Sequence, residues 1–473
     1  MRAPSVTRGT EAVPSAEAPA STTPAMMTTI DGVVYEIPPS FFKTHPGGSD
    51  LLMLAVGRDA SILVASYHRR DAVFRAALAR LRVVVGEAGA RATATHEAWD
   101  PHSRVDSDVH SPLYAELHER VNDYFAKSGR ESRGGSYMLT KSLVLLAVTA
   151  AVWAFSAIGG VWALAPLTGV LFAMLGLCIQ HDANHGSLTR SPLLNTVFGF
   201  CDDLIGGSAL CWRIQHCAGH HLHPNDVTLD ADSYSNWPVL RMNPALPLRW
   251  YHRYQMFYAP LAYAFVGIIY PIADVVDLVR RHHEHVPMHP LRMRDVAQFV
   301  LGKFVHYCAT LAVPVALHGW RAGLLGFWLP MQLSGGLFLG LSFAVSHNVP
   351  GVAYNVLAPR KHRDGARTSS TGSDKPVNEG STSTCWAEAQ IRTSADWSPT
   401  SVFANLLWGG LNTQVAHHLF PGVAHEHYPA LTEIIRDVCA KRRIPYTSYP
   451  SFASAVKAHL RHIADLSNRS GRE

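Results

Sequence analysis

The sequence predicts a mainly α-helical membrane protein. It consists of a bundle of four spans, a helical cap on the cytosolic face, and a small α+β soluble module ahead of both. Three observations carry this. Hydrophobic residues make up 48% of the 473-residue chain and charged residues only 16%, against roughly 25% charged in a soluble globular protein. Four apolar segments, at 139–158, 160–179, 297–317 and 323–346, are each long enough to cross a hydrocarbon core. The chain also holds 27 histidines, many of them just outside those segments.

The composition excludes a disordered, collagenous or coiled-coil protein, and it leaves too few charges to coat an ordinary soluble enzyme. The seven cysteines are widely spaced, with no CxxC. A disulfide scaffold or zinc ribbon is not expected, and a reducing compartment is. The net charge of +5 comes without a Lys/Arg stripe, so no nucleic-acid partner is expected.

Residues 1–27 are rich in Ala, Pro, Ser and Thr, as in a disordered tail or an organelle transit segment. The module at 28–88 reads as a strand ("DGVVYEI") followed by helices ("SDLLMLAV" and "DAVFRAALARLRVVV"). A charged connector is expected at 89–136, a membrane domain at 137–455 and a tail at 456–473. A fifth apolar stretch near 256–276 contains Pro271 and Asp274, so it is expected to lie in the interface or enter part-way. The polar stretch 359–383 reads as a mobile surface insertion.

The four spans form two hairpins. The first link carries no Lys or Arg and the second only Arg321, whereas the segment between the hairpins carries nine arginines. The positive-inside rule puts that segment in the cytosol, with the front module and the C-terminal region on the same side.

Three histidine clusters fall on that side. They are His181 and His185 in "HDANH", His216, His220 and His221 in "HCAGHH", and His417 and His418 after Gln414 in "QVAHH". Residues i and i+4 share a helix face, so His181 with His185, and His216 with His220, are each expected to grip one ion. Adjacent histidines diverge by about 100° on a helix and can reach two neighbouring ions. A lone HxxxH is usually a helix-surface pair, but three clusters on one face exceed the four ligands of a structural zinc site and point to two metal ions. Neutral imidazole suits Fe, Zn and Cu. HExxH is absent, which argues against a zincin. His347, at the end of the fourth span, is an eighth candidate, with Asn348 assisting through water. His223, His425 and His427 are expected near the site without ligating. His282, His283 and His285 read as a solvated basic run near headgroups, and "WYHRYQMFY" as an interfacial aromatic belt.

The front module holds a second kind of site. His45, Pro46, Gly47 and Gly48 form a tight turn free of side-chain bulk, and His68 follows after "GRDAS". Such a turn lets backbone approach a flat cofactor. Two axial histidines would hold haem iron without an open position, which suits electron transfer.

These residues resemble the cytochrome b5-fusion front-end fatty acid desaturases over about 31–455. "HPGG…GRDAS…YH" looks like the family's haem element, and "HDANHG", "QHCAGHHLHPND" and "GGLNTQVAHHLFP" like its histidine boxes, with Gln414 where other desaturases have His. "GRDASILVASYH", "DDLIGGSALCW" and "NWPVLRMNP" look most similar to Δ4-type enzymes. The resemblance implies two iron ions on His181, His185, His216, His220, His221, His417 and His418. It also implies haem b on His45 and His68 beside Gly47 and Gly48, and O2 and NAD(P)H-derived electrons as co-substrates. Asp182 and Gln414 are expected to orient ligating imidazoles through hydrogen bonds. Expected partners are a fatty acyl lipid or acyl-CoA, cytochrome b5 reductase and membrane lipids. The implied reaction places a cis double bond between an existing one and the carboxyl end, at Δ4, with Δ5 and Δ6 as alternatives. A long-chain-base desaturase or lipid hydroxylase on the same scaffold stays open, as does, from another class, a histidine-rich metal transporter. The endoplasmic reticulum with a cytosolic active site is the default location, a plastid membrane the alternative. One departure stands out: the family's extra His- and Trp-containing segment, about 20 residues before the counterpart of Asp31, is replaced by the Pro/Ala-rich tail. The module is therefore short, and a separate cytochrome b5 is an alternative donor.

Overall fold

Asp31 and Gly32 both adopt positive φ, the backbone that closes a tight hairpin. They join β1 (Met27–Ile30) to β2 (Val33–Glu36) as an antiparallel pair. The computed structural model describes residues 26–69, 71–92, 109–354 and 385–468. The N-terminal tail up to residue 25, which includes the segment that departs from the family pattern, and the whole polar stretch 359–383 lie outside them.

Four short helices follow: α1 (Pro39–Thr44), α2 (Ser49–Met53), α3 (Ser61–Tyr67) and α4 (Asp71–Leu78). The sequence suggests one helix across 71–85. The structure ends it at Leu78, and Arg82–Val83 instead forms β3 on the edge of β2, as the β-branched run there favours.

The expected connector at 89–136 contains a 17-residue helix, α5 (Pro112–Ser128). Ser111 caps it by accepting from the Tyr114 N–H, and Gly129 at φ 64° ends it. Leu113, Tyr114, Leu117, Val121 and Phe125 form its buried stripe. The charges on the opposite face hid this amphipathic period. The expected tail at 456–473 is likewise a correction. Phe452–Asn468 is a helix whose Ala455, His459, Ile463 and Leu466 are buried.

Among the described residues, three helices are long and apolar enough to cross a membrane: Ser136–Ile158, Trp162–Asn184 and Met293–His347. The last runs 55 residues and breaks at Gly319, whose φ of 80° is not helical. This lies within the link expected between the third and fourth segments. Trp250–Ala264 and Val266–Arg280 qualify only together, bent by 69°, the geometry of a broken span or a re-entrant loop.

Glycines let the spans touch backbone to backbone. A Cβ on Gly169 would lie 2.0 Å from the Met331 carbonyl, and one on Gly335 2.8 Å from the Gly169 carbonyl. Small residues do this wherever helices pack without a hydrophobic driving force. On the polar side a single core joins three parts of the chain. It includes Leu54 and Leu63 of the front module, Leu117 and Val121 of α5, and Ile214, Val415 and Phe420 beside the histidine clusters.

Gly169→Leu should overpack the span contact by about 1–3 kcal/mol or more. The expected outcome is a sharp loss of monodisperse protein on detergent size-exclusion chromatography, while Leu167→Ala, on an exposed face, elutes normally.

Candidate metal centre and haem cradle

The three histidine clusters reach one place by different routes. His181 begins a short helix (His181–Asn184) that continues the second span, and the His185 N–H bonds the His181 carbonyl at 3.0 Å. His216 and His220 lie in the wider π-helical segment Arg213–His220. The third cluster rides on Gln414–Leu419. Gly409 and Gly410, at φ 59° and 81°, make the turn before it, and Asp396 accepts the Val415 N–H at 3.0 Å.

All eight candidate rings are buried, and they sort into two sets. The potential ligand atoms of His181, His185, His216 and His417 lie within 4.8 Å of one another, as do those of His220, His347 and His418. His221 sits between the sets. Its Nε2 is 3.0 Å from that of His216 and 2.9 Å from that of His417, and its ring stacks on His418 at 4.5 Å. His417 and His418 thus serve different sets, as adjacent helical histidines should. The expectation that His216 and His220 grip one ion is corrected: they fall in different sets. The π-helix is the cause. Its i→i+5 bonding, seen in the His221 N–H to His216 carbonyl bond of 3.0 Å, brings His221 rather than His220 beside His216.

On five of the eight rings the outward nitrogen is held. Nδ1 of His185 meets the Tyr67 hydroxyl at 2.6 Å, that of His220 meets Asp230 at 3.1 Å, and that of His347 meets the Thr393 carbonyl at 3.0 Å. Nδ1 of His417 meets the Tyr428 hydroxyl at 3.1 Å, and that of His418 meets Gln390 Oε1 at 2.8 Å. An Nδ1–H donated outward leaves Nε2 as a bare lone pair. Those Nε2 atoms face inward. The ones on His181, His185 and His418 have no hydrogen-bond partner, and those of His220 and His347 oppose each other at 3.3 Å. Buried lone pairs converging without donors are costly, and a cation between them relieves the cost. The residues therefore fit metal ions in both sets.

Electrostatics agree. Burial and the neighbouring imidazoles push His185, His216, His221, His417 and His418 well below the ordinary histidine range, so they are neutral, as ligation requires. Burial also disfavours charge on His220, but the Asp230 carboxylate outweighs it and lifts that ring to about 9. Asp230 lies behind the ring, on the nitrogen facing away from His347.

The expected supporting residues behave differently. Asp182 holds chiefly the non-ligating His425, at 2.8 Å, and lies 3.8 Å from His181 Nδ1. Gln414 is not behind a ring: its amide donates to the inward Nε2 of His347 at 2.9 Å, with its Oε1 unpaired. Asn348 gives its backbone carbonyl to His459 Nδ1 at 2.7 Å. Instead, Asn225 Nδ2 steadies this helix end by donating to the His347 carbonyl at 2.9 Å. The run at 282–285 is not simply solvated. His283 meets Asp277 at 2.6 Å and His285 meets Tyr234 at 3.1 Å. Sequence reasoning missed Tyr67, Asp230, Gln390 and Tyr428, since none stands at a helical i,i+3 or i,i+4 spacing from the ring it holds.

In the front module the rings of His45 and His68 lie 6.1 Å apart. A single metal ion with bonds of about 2.0 Å to each ring fits that gap. Their Nδ1 atoms face the carbonyls of Gly48 and Val64 at 3.2 and 2.8 Å, leaving Nε2 to ligate. Burial pushes His45 down to about 4 and lowers His68 too. A Cβ on Gly47 would crowd the His45 ring at 2.9 Å, and Gly48 sits at φ 85°. Both glycines are thus needed at the turn.

Together, apolar spans, a cap of buried histidines that fit metal ions and a bis-histidine front module describe one class of protein, a membrane protein built around histidine-lined metal sites. The comparisons agree. Residues 159–450 match the fatty acid desaturase model, and 20–99 match the cytochrome b5-like heme/steroid binding domain. The chain is 34% identical to the chloroplastic acyl-lipid (7-3)-desaturase of Chlamydomonas reinhardtii, over 92% of this chain and 79% of that one. It is 30% identical to acyl-lipid (8-3)-desaturase B of Dictyostelium discoideum, over 93% and 90%. It is also 30% identical to the sn-1 linoleoyl-lipid 6-desaturase of Synechocystis, over 75% and 95%. The chain belongs to the fatty acid desaturase family, as a front-end member with a fused cytochrome b5-like domain, and is an O2-dependent oxidoreductase.

If each set holds one iron, removing a ring from one set should cost about half of the bound iron, by analogy with other closed ligand sets. His347→Ala and His181→Ala are expected each to halve the iron per chain by elemental analysis. Asp230→Asn keeps every ring but should weaken iron binding by about 10–100-fold.

Proposed function

We propose that the chain is a Δ4 front-end desaturase acting on a polyunsaturated chain carried by a glycerolipid. The carrying observation for the metal chemistry is that the inward Nε2 atoms of His181, His185 and His418 are buried with no hydrogen-bond partner among converging rings. His181, His185, His216 and His417 would hold one iron and His220, His347 and His418 the other, with His221 between them. Bound there, two irons supply O2 activation, removing two hydrogens from adjacent methylenes while O2, two electrons and two protons end as water.

The chain's own residues do the rest. Tyr67, Asp230, Gln390, the Thr393 carbonyl and Tyr428 fix the tautomer and tilt of five rings. Gln414 lies against His347, and its unpaired amide oxygen shapes the second half of the site. Neighbouring methylenes are chemically alike, so position must be set by how the chain is seated. Four spans, with the fold at Gly319 as the second hairpin link, supply apolar walls. The cap then faces the cytosol of the endoplasmic reticulum, or the corresponding face of a plastid membrane. We assign 28–88 to the haem module and 137–455 to the desaturase domain, with His45 and His68 as axial haem ligands fed by cytochrome b5 reductase. Relatives named as acyl-lipid desaturases support a lipid carrier over acyl-CoA. The three Δ4-like sequence stretches support the position.

Expression in a host fed defined polyunsaturated acids should give a product with one added double bond, between the existing ones and the carboxyl. A hydroxylated lipid, or a desaturated long-chain base alone, would overturn the assignment. His181→Ala should abolish the product. His45→Ala should remove the haem absorbance and the product together. Full turnover by that variant with free cytochrome b5 present would make the fused haem dispensable.

A further inference from the structure

We propose that Tyr67 is a positioning residue that fixes the electron route from the haem module to the histidine centre. This rests on the reading of the two histidine constellations as haem and iron sites.

Tyr67 is the last residue of α3, and His68 follows it directly. Its hydroxyl lies 2.6 Å from Nδ1 of His185, and the two rings are 6.1 Å apart and inclined by only 29°. Nε2 of His185 points away from that contact, toward the first ligand set. The path from one site to the other is therefore one peptide link, one side chain and one hydrogen bond. The partners that hold Nδ1 of His220, His347, His417 and His418 come from the desaturase part of the chain. Among the described residues, Tyr67 is the one such partner contributed by the front module.

The module is held so that this contact persists. Asp50 pairs with Arg292 at 2.8 Å and with Arg294, and accepts from the Thr196 hydroxyl at 3.0 Å. Arg58 donates to the Pro287 carbonyl at 2.6 Å, and Arg133 to that of Pro46 at 3.1 Å. Leu51 packs on Gly186, the residue after His185, so closely that a Cβ there would lie 2.6 Å from it. A module serving only as a flexible carrier has no need of a contact to an iron ligand.

Each transfer oxidises one ferrous haem to ferric and reduces one ferric iron to ferrous. No bond forms or breaks at Tyr67, and its proton stays in place. Tyr67→Phe keeps the ring and removes the hydrogen bond. The test uses full-length protein in lipid nanodiscs, loaded with iron and haem, reduced with stoichiometric dithionite and mixed with O2 and acyl lipid. Haem absorbance is followed with time, and the rate of iron-free protein is subtracted. The expected result is an iron-dependent reoxidation slowed by about tenfold or more in Tyr67→Phe, with haem spectrum and iron content unchanged. An unchanged rate would overturn the proposal. So would a variant that loses iron while its loaded fraction reoxidises at the wild-type rate, since Tyr67 would then only hold the ligand. Failure of the underlying reading looks different: wild-type protein would make no unsaturated product even with a separate electron donor.

Discussion

The structure depends on one electrostatic constraint, the convergence of neutral imidazole nitrogens in a space closed to water. Burial strips these rings of protons, and outward hydrogen bonds from Nδ1 turn the remaining lone pairs toward each other. Such an arrangement is unfavourable unless a cation binds there. Metal binding and folding of the cap are thus linked, because the same interactions that orient the ligands also build its core. Gln390 illustrates the overlap. It is fully buried, lies on a helix packed beside the third cluster, and spends its carbonyl on His418.

The front module belongs to the same design. Its apolar residues merge into the core that surrounds the second and third clusters, and its charged edge is neutralised by arginines just before the third span. Partly exposed pairs of this kind add little to stability, so what they contribute is the orientation of the module. The result is a fixed placement of the His45–His68 pair relative to the histidine clusters, which a loosely tethered module would not provide.

Much of this was legible in the sequence. The apolar segments, the histidine clusters and the HPGG turn each have a local period or composition, and the structure brings those histidines together. Two kinds of feature were not legible. Amphipathic helices with a heavily charged outer face, Pro112–Ser128 and Phe452–Asn468, read as connector and tail because their polar residues outnumber the buried stripe. Partners separated by long stretches of chain, such as Tyr67 with His185 or Gln390 with the ring of His418, follow from tertiary packing alone. The pairing of His216 failed for a subtler reason. An i,i+4 rule assumes an α-helix, and the π-helical turn shifts the neighbour by one residue.

That shift also explains how one short segment can contribute to both ligand sets. His216, His220 and His221 divide between the sets and the space joining them, and the remaining ligands come from the ends of the spans and from the third cluster. His181 continues the second span and His347 ends the last, and these two helices are in contact through Gly169, Met331 and Gly335. Backbone contact at glycine leaves no compressible side chain between the helices, so their spacing is rigid. The two helix ends that carry His181 and His347 thus belong to a pair of helices locked backbone to backbone. A substitution at that crossing would move those ends without touching either ring.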